Sequence, residues 1–500
     1  MEKISHSRNS VLTLLSWLIP LGLTFFATPF IIRRLGNEQY GFYALIIGFI
    51  AYSFTFNTGR SLTKYVSEFN SRGETKKVSE IISATFFLSL GVATVGCAVL
   101  FFFSDFLVTR VFLIDAASRV ETIFGLHIAA VCIWLTIIGQ VFGAIVQGRH
   151  RFDVIAAITT FNNALLILGN IYLVWKGFGF VALLTWNAVT LLIGTVIYFL
   201  TAKKLEPETK ISFGFDRTMF LISLKYGLSV AGHQLFGNFL LLFERSLITR
   251  LEGVDKMTNY VVPITISIYI MLFVSTLTQN LMPITSELFA RKRFADSELI
   301  YRRLTKIVFA LLVFICLSMA VGSYYLLANW LDVVFAETSY QVFIFQIVTF
   351  GLMAAMGISW QYIEGYGLPV YNTLSGFSWM IIAIPLMLIW TRSYGIWGAA
   401  LARLVGEITI PIAILLIERK IFGKFLGDLW LKIIGVLGIT GLIVGFIEYQ
   451  MLKYFPVNWL SLIGSVLVCG VIYLFILWLT NFFSKEEQIW LGGHIKRIFT

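Results

Sequence analysis

From Val11 to Ile32 the chain runs without a single charged residue, and stretches of this kind recur to its end. A bilayer core about 30 Å thick takes about 20 apolar residues of helix to cross. The stretches have that length and fall at approximately 10–32, 41–62, 81–104, 122–146, 154–175, 178–200, 218–243, 259–285, 305–328, 342–363, 368–390, 394–417, 430–451 and 458–481. Lipid offers the backbone no hydrogen-bond partner, so a spanning segment is either a helix or part of a closed barrel. Barrel strands run ~10 residues and alternate in polarity. These blocks are longer and apolar all round. The sequence therefore predicts an all-α integral membrane protein with about 14 transmembrane helices.

Composition agrees. Charged residues make up 13% of the 500, against about 25% in a soluble domain, too few to coat a surface in water. Lys3 and Arg8 precede the first block as in a signal peptide. That block exceeds the 7–15 residues of a signal core and no small-residue cleavage site follows, so it reads as an uncleaved first span. Cys97, Cys132, Cys316 and Cys469 sit inside apolar blocks without C-x-x-C spacing, as small interior residues rather than disulfide or zinc partners. With the N-terminus inside, most of the 38 lysines and arginines fall in inner segments. The positive-inside rule then places both termini in the cytoplasm, and the net charge of +11 reports orientation rather than a nucleic-acid partner. All connecting loops are short. The tail Phe483–Thr500 mixes Lys485, Lys496 and Arg497 with Ile489, Trp490, Ile495 and Phe499, which reads either as a helix lying on the inner leaflet or as a frayed terminus.

The chain also echoes itself. Arg34-Leu35 returns as Arg250-Leu251, Tyr43 as Tyr260, and the loop Ser67-Glu68 to Ser79-Glu80 as Ser286-Glu287 to Ser297-Glu298. Gln147-Gly148 returns as Glu364-Gly365, and Gly179 as Gly395. The shared offset of about 216 residues covers six spans, an even number, so both copies enter the membrane from the same side as parallel repeats. The expected organisation is a six-helix bundle at 1–217, a second at 218–429, and an appended pair with a cytoplasmic tail at 430–500. Gly435, Gly438, Gly441 and Gly445 in span 13 predict a face that packs closely on another helix. Two such bundles moving against each other suit a carrier working by alternating access.

Charges inside lipid are expensive and usually face a bundle interior or a wet cavity. Arg403 falls near the middle of span 12, with Glu407 one turn on. As a substrate-facing pair, Arg403 meets an anion and Glu407 sets its availability; the alternative is an ion pair that silences both. Arg60 and Lys64 share a face near the inner end of span 2, and Lys225 lies in the inner third of span 7, where snorkelling to the headgroups is the competing reading. Arg245, beside Glu244, reads as a neutralised pair at the outer end of span 7. His233, mid-span, is a candidate for coupling or gating, against a simple helix–helix hydrogen bond. Asn57, Asn162, Asn163, Asn187, Gln279 and Asn280 interrupt apolar runs, either to line a cavity and meet sugar hydroxyls or to hold helices together. Interior cations outnumber uncompensated acids, so a net-positive central cavity is expected, which favours a substrate with a phosphate or pyrophosphate group, and arginine's planar fork suits it. No P-loop, H-E-x-x-H or G-x-S-x-G is present, so no cofactor and no built-in catalysis are expected, and the driving force falls to an H+ or Na+ gradient, the substrate's own gradient, or a partner.

One segment carries a family likeness. Thr28-Pro29-Phe30, then Arg34-Leu35-Gly36-Asn37-Glu38-Gln39-Tyr40-Gly41, Tyr43, and a second span ending in Thr58-Gly59-Arg60 resemble Wzx-type polysaccharide exporters of the multidrug/oligosaccharidyl-lipid/polysaccharide (MOP) superfamily. The resemblance implies a flippase in the bacterial inner membrane that moves undecaprenyl-pyrophosphate-linked oligosaccharide, such as O-antigen units, from the inner to the outer leaflet, with a glycan polymerase as a candidate partner. Relatives that flip the peptidoglycan precursor use arginines in a cationic cavity; Arg60 is the positional counterpart here, but the first span holds no internal arginine, which disfavours that precursor. The site expected on these grounds is Asn57, Arg60, Lys64, Lys225 and Arg403 for substrate, with Glu407 and His233 for coupling or gating. Two other readings stand beside it. A cation-coupled multidrug antiporter on the same fold would place acids in the N-terminal bundle, whereas Glu407 and Glu364 lie in the second. A membrane glycan polymerase or ligase would carry a sizeable outer loop, and none is long enough.

Overall fold

The structure, a computed structural model, describes residues 6–52, 58–207, 211–212, 216–278, 281–368 and 370–488, and only the backbone of 6–20, 58, 60, 226–234 and 283. Asn57, Gln279, Asn280 and most of the tail after 488 lie outside the described residues. Among the described residues every regular element is helical. The chain forms two compact units, Met1–Thr258 and Asn259–Thr500.

The first unit holds α1 (His6–Leu35), α2 (Asn37–Tyr52), α3 (Thr58–Ser71), α4 (Thr75–Phe106), α5 (Ala116–Gly148), α6 (Phe152–Trp175), α7 (Phe180–Leu205), α8 (Arg217–Glu252) and the start of α9 (Val254–Thr278). The second holds the rest of α9, α10 (Leu281–Ala290), α11 (Phe294–Val321), α12 (Ser323–Trp330), α13 (Val333–Gly365), α14 (Val370–Gly406), α15 (Thr409–Phe422), α16 (Gly427–Lys432), α17 (Gly438–Tyr454) and α18 (Trp459–Leu479). The sequence places a boundary at 217/218. The compact units divide one helix later because α8 packs on α2, α3 and α4.

Ten described helical segments are long and apolar enough to cross a membrane, and one of them, Val370–Phe422, has 53 residues, enough for two passes at 1.5 Å per residue. The other crossings expected from the sequence fall on α1, α2–α3 and α8. Large apolar side chains are exposed along the helices, for example Phe102, Leu442, Leu460 and Leu467. In water such a surface would aggregate; facing lipid it is the stable arrangement. The chain is a multi-pass membrane protein.

The internal echo has a geometric counterpart. Helices α5 and α13 are both 33 residues long, start about 217 residues apart, and are the most buried candidate spans. Four corners with positive φ recur at offsets of 217 to 219 residues: Gly36 (φ 85°) with Gly253 (90°), Gly73 (72°) with Lys292 (56°), His150 (57°) with Gly367 (75°), and Gly177 (83°) with Gly395 (62°), so that Gly177 rather than the expected Gly179 (φ −82°) is the counterpart of Gly395. At Gly36 and Gly253 a single residue links one helix to the next, with a positive φ that L side chains resist and glycine accepts. Gly395 breaks α14 into two arms in the same way.

In the first unit the core forms around α5, with Leu45, Ile46, Leu126 and Phe180 at one end and Leu62, Val66, Ile81 and Val141 at the other. The expected glycine face of span 13 is half realised. A Cβ at Gly445 would stand 2.9 Å from Leu317 and one at Gly441 3.4 Å from Val313, both on α11, whereas Gly435 and Gly438 face open space.

Candidate functional site

Glycines shape a cavity in the first unit. Gly139 on α5 lies so close to α7 that a Cβ would meet Thr195 Oγ1 at 2.8 Å, and a Cβ on Gly194 of α7 would overlap the Asn162 amide of α6. Small residues of this kind let membrane helices approach where lipid supplies no driving force. Beside these contacts lies a cavity of about 470 Å³ lined by residues of α3, α5, α6 and α7. Its polar lining consists of the amides Gln140, Gln147 and Asn162 and the hydroxyls Thr136, Thr195 and Tyr198, with Phe152 and Ile155 as apolar walls. Among the described residues that line it, none is charged, so this cavity is not the net-positive one the sequence leads one to expect.

Several lining groups are already held. Thr63 Oγ1 donates to Gln147 Oε1 (3.2 Å), which leaves the Gln147 NH2 uncommitted by that bond. Tyr198 OH pairs with Thr159 Oγ1 at 3.1 Å, and Thr195 Oγ1 donates to the Leu135 carbonyl at 3.3 Å. Asn162 Oδ1 is buried with no hydrogen-bond partner. A neutral lining of amides and hydroxyls beside aromatic rings discriminates little by charge and well by hydrogen-bond pattern, the chemistry that suits a polyhydroxylated ligand.

Gly59, at the start of α3, reaches this cavity. Arg60 follows it, with its backbone alone described, and Lys64 lies one turn on, exposed, with Nζ 4.8 Å from the Tyr65 ring centroid. Lys225 is exposed on α8, which packs against α3. His233 is on α8 with its side chain outside the described residues, and Asn57 lies outside them altogether. Of the other interior amides, Asn187 is buried and Asn170 donates to Tyr43 OH at 3.3 Å.

Arg403 sits elsewhere, in the second unit. It is 1% exposed, and its guanidinium carbon lies 4.9 Å from the Phe350 ring centre and 5.7 Å from that of Trp379. Trp379 Nε1 donates to the Arg403 carbonyl at 3.4 Å. Glu407, also buried, feels the Arg403 charge and stands in the turn between α14 and α15, with Oε1 free of hydrogen bonds. The two residues therefore flank a break between helices, with two aromatic rings beside the arginine.

Of the other buried charges the sequence marks only Arg245, as half of a neutralised pair with Glu244, and not Glu418 or Glu448. Arg245 is buried within the first unit, where Nη1 donates to the Ala44 carbonyl on α2 and the guanidinium lies 5.4 Å from the Tyr52 ring centre. Gly48 makes room for it, since a Cβ there would stand 2.7 Å from Arg245 Cδ. Glu418 accepts from Tyr301 OH (3.0 Å), Trp430 Nε1 (2.8 Å) and the Leu426 amide (3.0 Å). Glu448 is buried on α17. An acid or arginine placed by hydropathy near a span end gives no hint whether it turns inward; that depends on partners far along the chain.

The sequence model for polysaccharide biosynthesis proteins matches residues 7–289. The chain belongs to the polysaccharide biosynthesis protein family. This family member is similar to a Shigella flexneri protein named "Putative O-antigen transporter", with 23% identity over 410 residues that cover 80% of this chain and 94% of that one. Its fold is shared with solved transporters of the MOP superfamily. An inward-facing multidrug resistance MATE family transporter superposes with a TM-score of 0.71 at 14% identity, covering 82% of this chain and 98% of that one. The lipid II flippase MurJ in an inward closed conformation gives 0.70 at 14% identity, covering 95% and 98%.

Proposed function

We propose that this protein is a flippase that carries an undecaprenyl-pyrophosphate-linked oligosaccharide, an O-antigen unit or a similar surface glycan precursor, across the bacterial inner membrane by alternating access, with both termini in the cytoplasm. The observation that carries the proposal is the uncharged amide and hydroxyl lining of the cavity in the first unit. It supports a saccharide ligand over a drug cation, which would call for an acid there. Family membership and the O-antigen transporter relative point the same way.

In this reading the saccharide meets Gln140, Gln147, Asn162 and Tyr198, while Arg60, Lys64 and Lys225, with Asn57, serve the pyrophosphate. Exposed lysines attract such a group as point charges and an arginine binds it through two donors. Arg403 is a further candidate to meet the anionic group, Glu407 sets its availability, and Glu407 and His233 are the candidates for coupling or gating. An H+ or Na+ gradient drives the cycle, and a glycan polymerase receives the product.

The test is deletion of the gene followed by assay of lipid-linked glycan. Accumulation on the inner leaflet, with loss of surface glycan restored by the wild-type gene, supports the proposal. Unchanged surface glycan together with raised drug sensitivity overturns it. Arg60→Ala and Arg403→Ala should each abolish complementation while membrane levels of the protein stay normal.

A further inference from the structure

The buried glutamates of the second unit have strikingly unequal company. Glu418 has three donors, Glu407 has the Arg403 charge, and Glu487 has Lys306 Nζ at 2.8 Å. Glu448 has none of these. It is fully buried on α17, and neither carboxyl oxygen makes a hydrogen bond. Its polar neighbours are Ser318 on α11 and Cys469 on α18. Ser318 Oγ is itself buried without a hydrogen bond, and it also lines a cavity of about 330 Å³ walled by Phe314, Met319, Leu326 and Leu462.

Among the described residues no cation is placed to meet this acid. On α11 the basic groups are Arg302, Arg303 and Lys306, at least 12 residues or about 18 Å of helix from Ser318, and they are engaged by Glu298, Asp428, Glu486 and Glu487. On α18 the remaining titratable group facing inward is Tyr473, whose hydroxyl donates to the Ala310 carbonyl at 2.8 Å. Tyr325 of α12 donates to the carbonyls of Leu452 and Phe455 at the end of α17. On the α16–α17 segment itself Lys432 reaches the Asn481 carbonyl, and Lys453 is exposed over the Tyr454 ring. A bare carboxylate in such surroundings is strongly disfavoured, whereas the neutral acid needs no counter-ion.

We propose that Glu448 is a proton-binding site: it holds a proton while α17 lies closed on α11 and α18, and gives it to water when that contact opens. The step is a simple ionisation, with the carboxylic O–H broken, the electron pair kept on oxygen, and the proton taken by water. Gly441 and Gly445 set the close α17–α11 contact that excludes water in the closed form. Resting on the flippase reading, the released proton is the coupling ion, and the α17–α18 pair outside the repeat is where the gradient enters the cycle.

Dicyclohexylcarbodiimide, which attacks protonated carboxyls in apolar surroundings, tests this directly on the full-length protein in nanodiscs, with peptide mass spectrometry as the readout. The expected adduct sits on Glu448 at neutral pH, falls several-fold at alkaline pH, and is absent in Glu448→Gln. Ser318→Ala should move the midpoint of that pH curve. No adduct on Glu448, or a yield flat across pH in folded protein, overturns the proposal. In proteoliposomes, Glu448→Gln should lose the response of flipping to an imposed pH gradient; a retained response overturns the coupling role. If the wild-type protein flips nothing, the flippase reading falls while the labelling result stands on its own.

Discussion

Three glycines around the first-unit cavity make a graded test of its geometry. At Gly143 an added Cβ meets nothing nearer than the Tyr198 ring at 3.8 Å, an ordinary contact. Gly143→Ala therefore gains the usual helical preference of alanine over glycine, about 0.5–1 kcal/mol. At Gly139 the Cβ would stand 2.8 Å from Thr195 Oγ1, so that hydroxyl must give up the Leu135 carbonyl, a loss of about 1 kcal/mol that cancels the gain. At Gly194 the Cβ would overlap Asn162 Nδ2 and lie 3.0 Å from Cγ. The amide must then swing away, an overpacking cost of about 1–3 kcal/mol. The expected order of stability is Gly143→Ala above wild type, Gly139→Ala near it, and Gly194→Ala below it. With about 2–4 °C per kcal/mol for a unit of this size, thermal unfolding of the purified protein resolves the steps. Complementation of surface glycan gives the functional half: Gly143→Phe, which projects a ring into the cavity, should fold and fail to transport. A Gly194→Ala protein as stable as Gly143→Ala would refute the close packing of α6 and α7. Full transport by Gly143→Phe would remove the cavity from the mechanism.

Other outcomes follow from individual contacts. Glu418→Ala leaves three buried donors without their acceptor and should cost roughly 4–6 kcal/mol, read as a large drop in unfolding temperature, whereas Glu418→Gln keeps an acceptor oxygen and should lose about a third of that. Arg245→Met keeps volume but gives up the Ala44 carbonyl and the Tyr52 ring, an expected loss of about 2–4 kcal/mol in the same assay. Burial raises the Glu487 acid toward its neutral form, but Lys306 and the Ser484 amide outweigh it and hold the group below the usual glutamate range. Its contribution is therefore present above that range and lost as pH falls through the lowered value. Hydrogen exchange in 481–488, corrected for intrinsic rates, should rise on acidification in the wild type and already be raised at neutral pH in Glu487→Gln.

Hydropathy alone made the helical class and most crossings legible, because a length near 20 apolar residues has few other solutions. The repeat was legible through isolated pairs such as Gln147-Gly148 and Glu364-Gly365, which lie at the ends of the matched helices α5 and α13. Asn162 could be singled out as an amide inside an apolar run. Gln140 and Tyr198 could not be placed beside it, since their helical faces acquire meaning only once α5 and α7 are packed. Arg403 stood out by depth, but its enclosure depends on Phe350 and Trp379, from distant turns of other segments. Glu448 was hidden for the opposite reason. Near the end of a span an acid looks like a boundary marker, and only the arrival of α11 and α18 makes it interior.

The matched corners make each half of the chain a reference sequence for the other. Where the first half has Gly73 the second has Lys292, and where the second has Gly367 the first has His150, all four with positive φ. A side chain in that region carries a penalty of about 1–2 kcal/mol that glycine escapes. Neither half is thus the better-built copy. Each keeps the relaxed residue at one corner and the strained one at the other, and a chain with glycine at both would shed two penalties now divided between them.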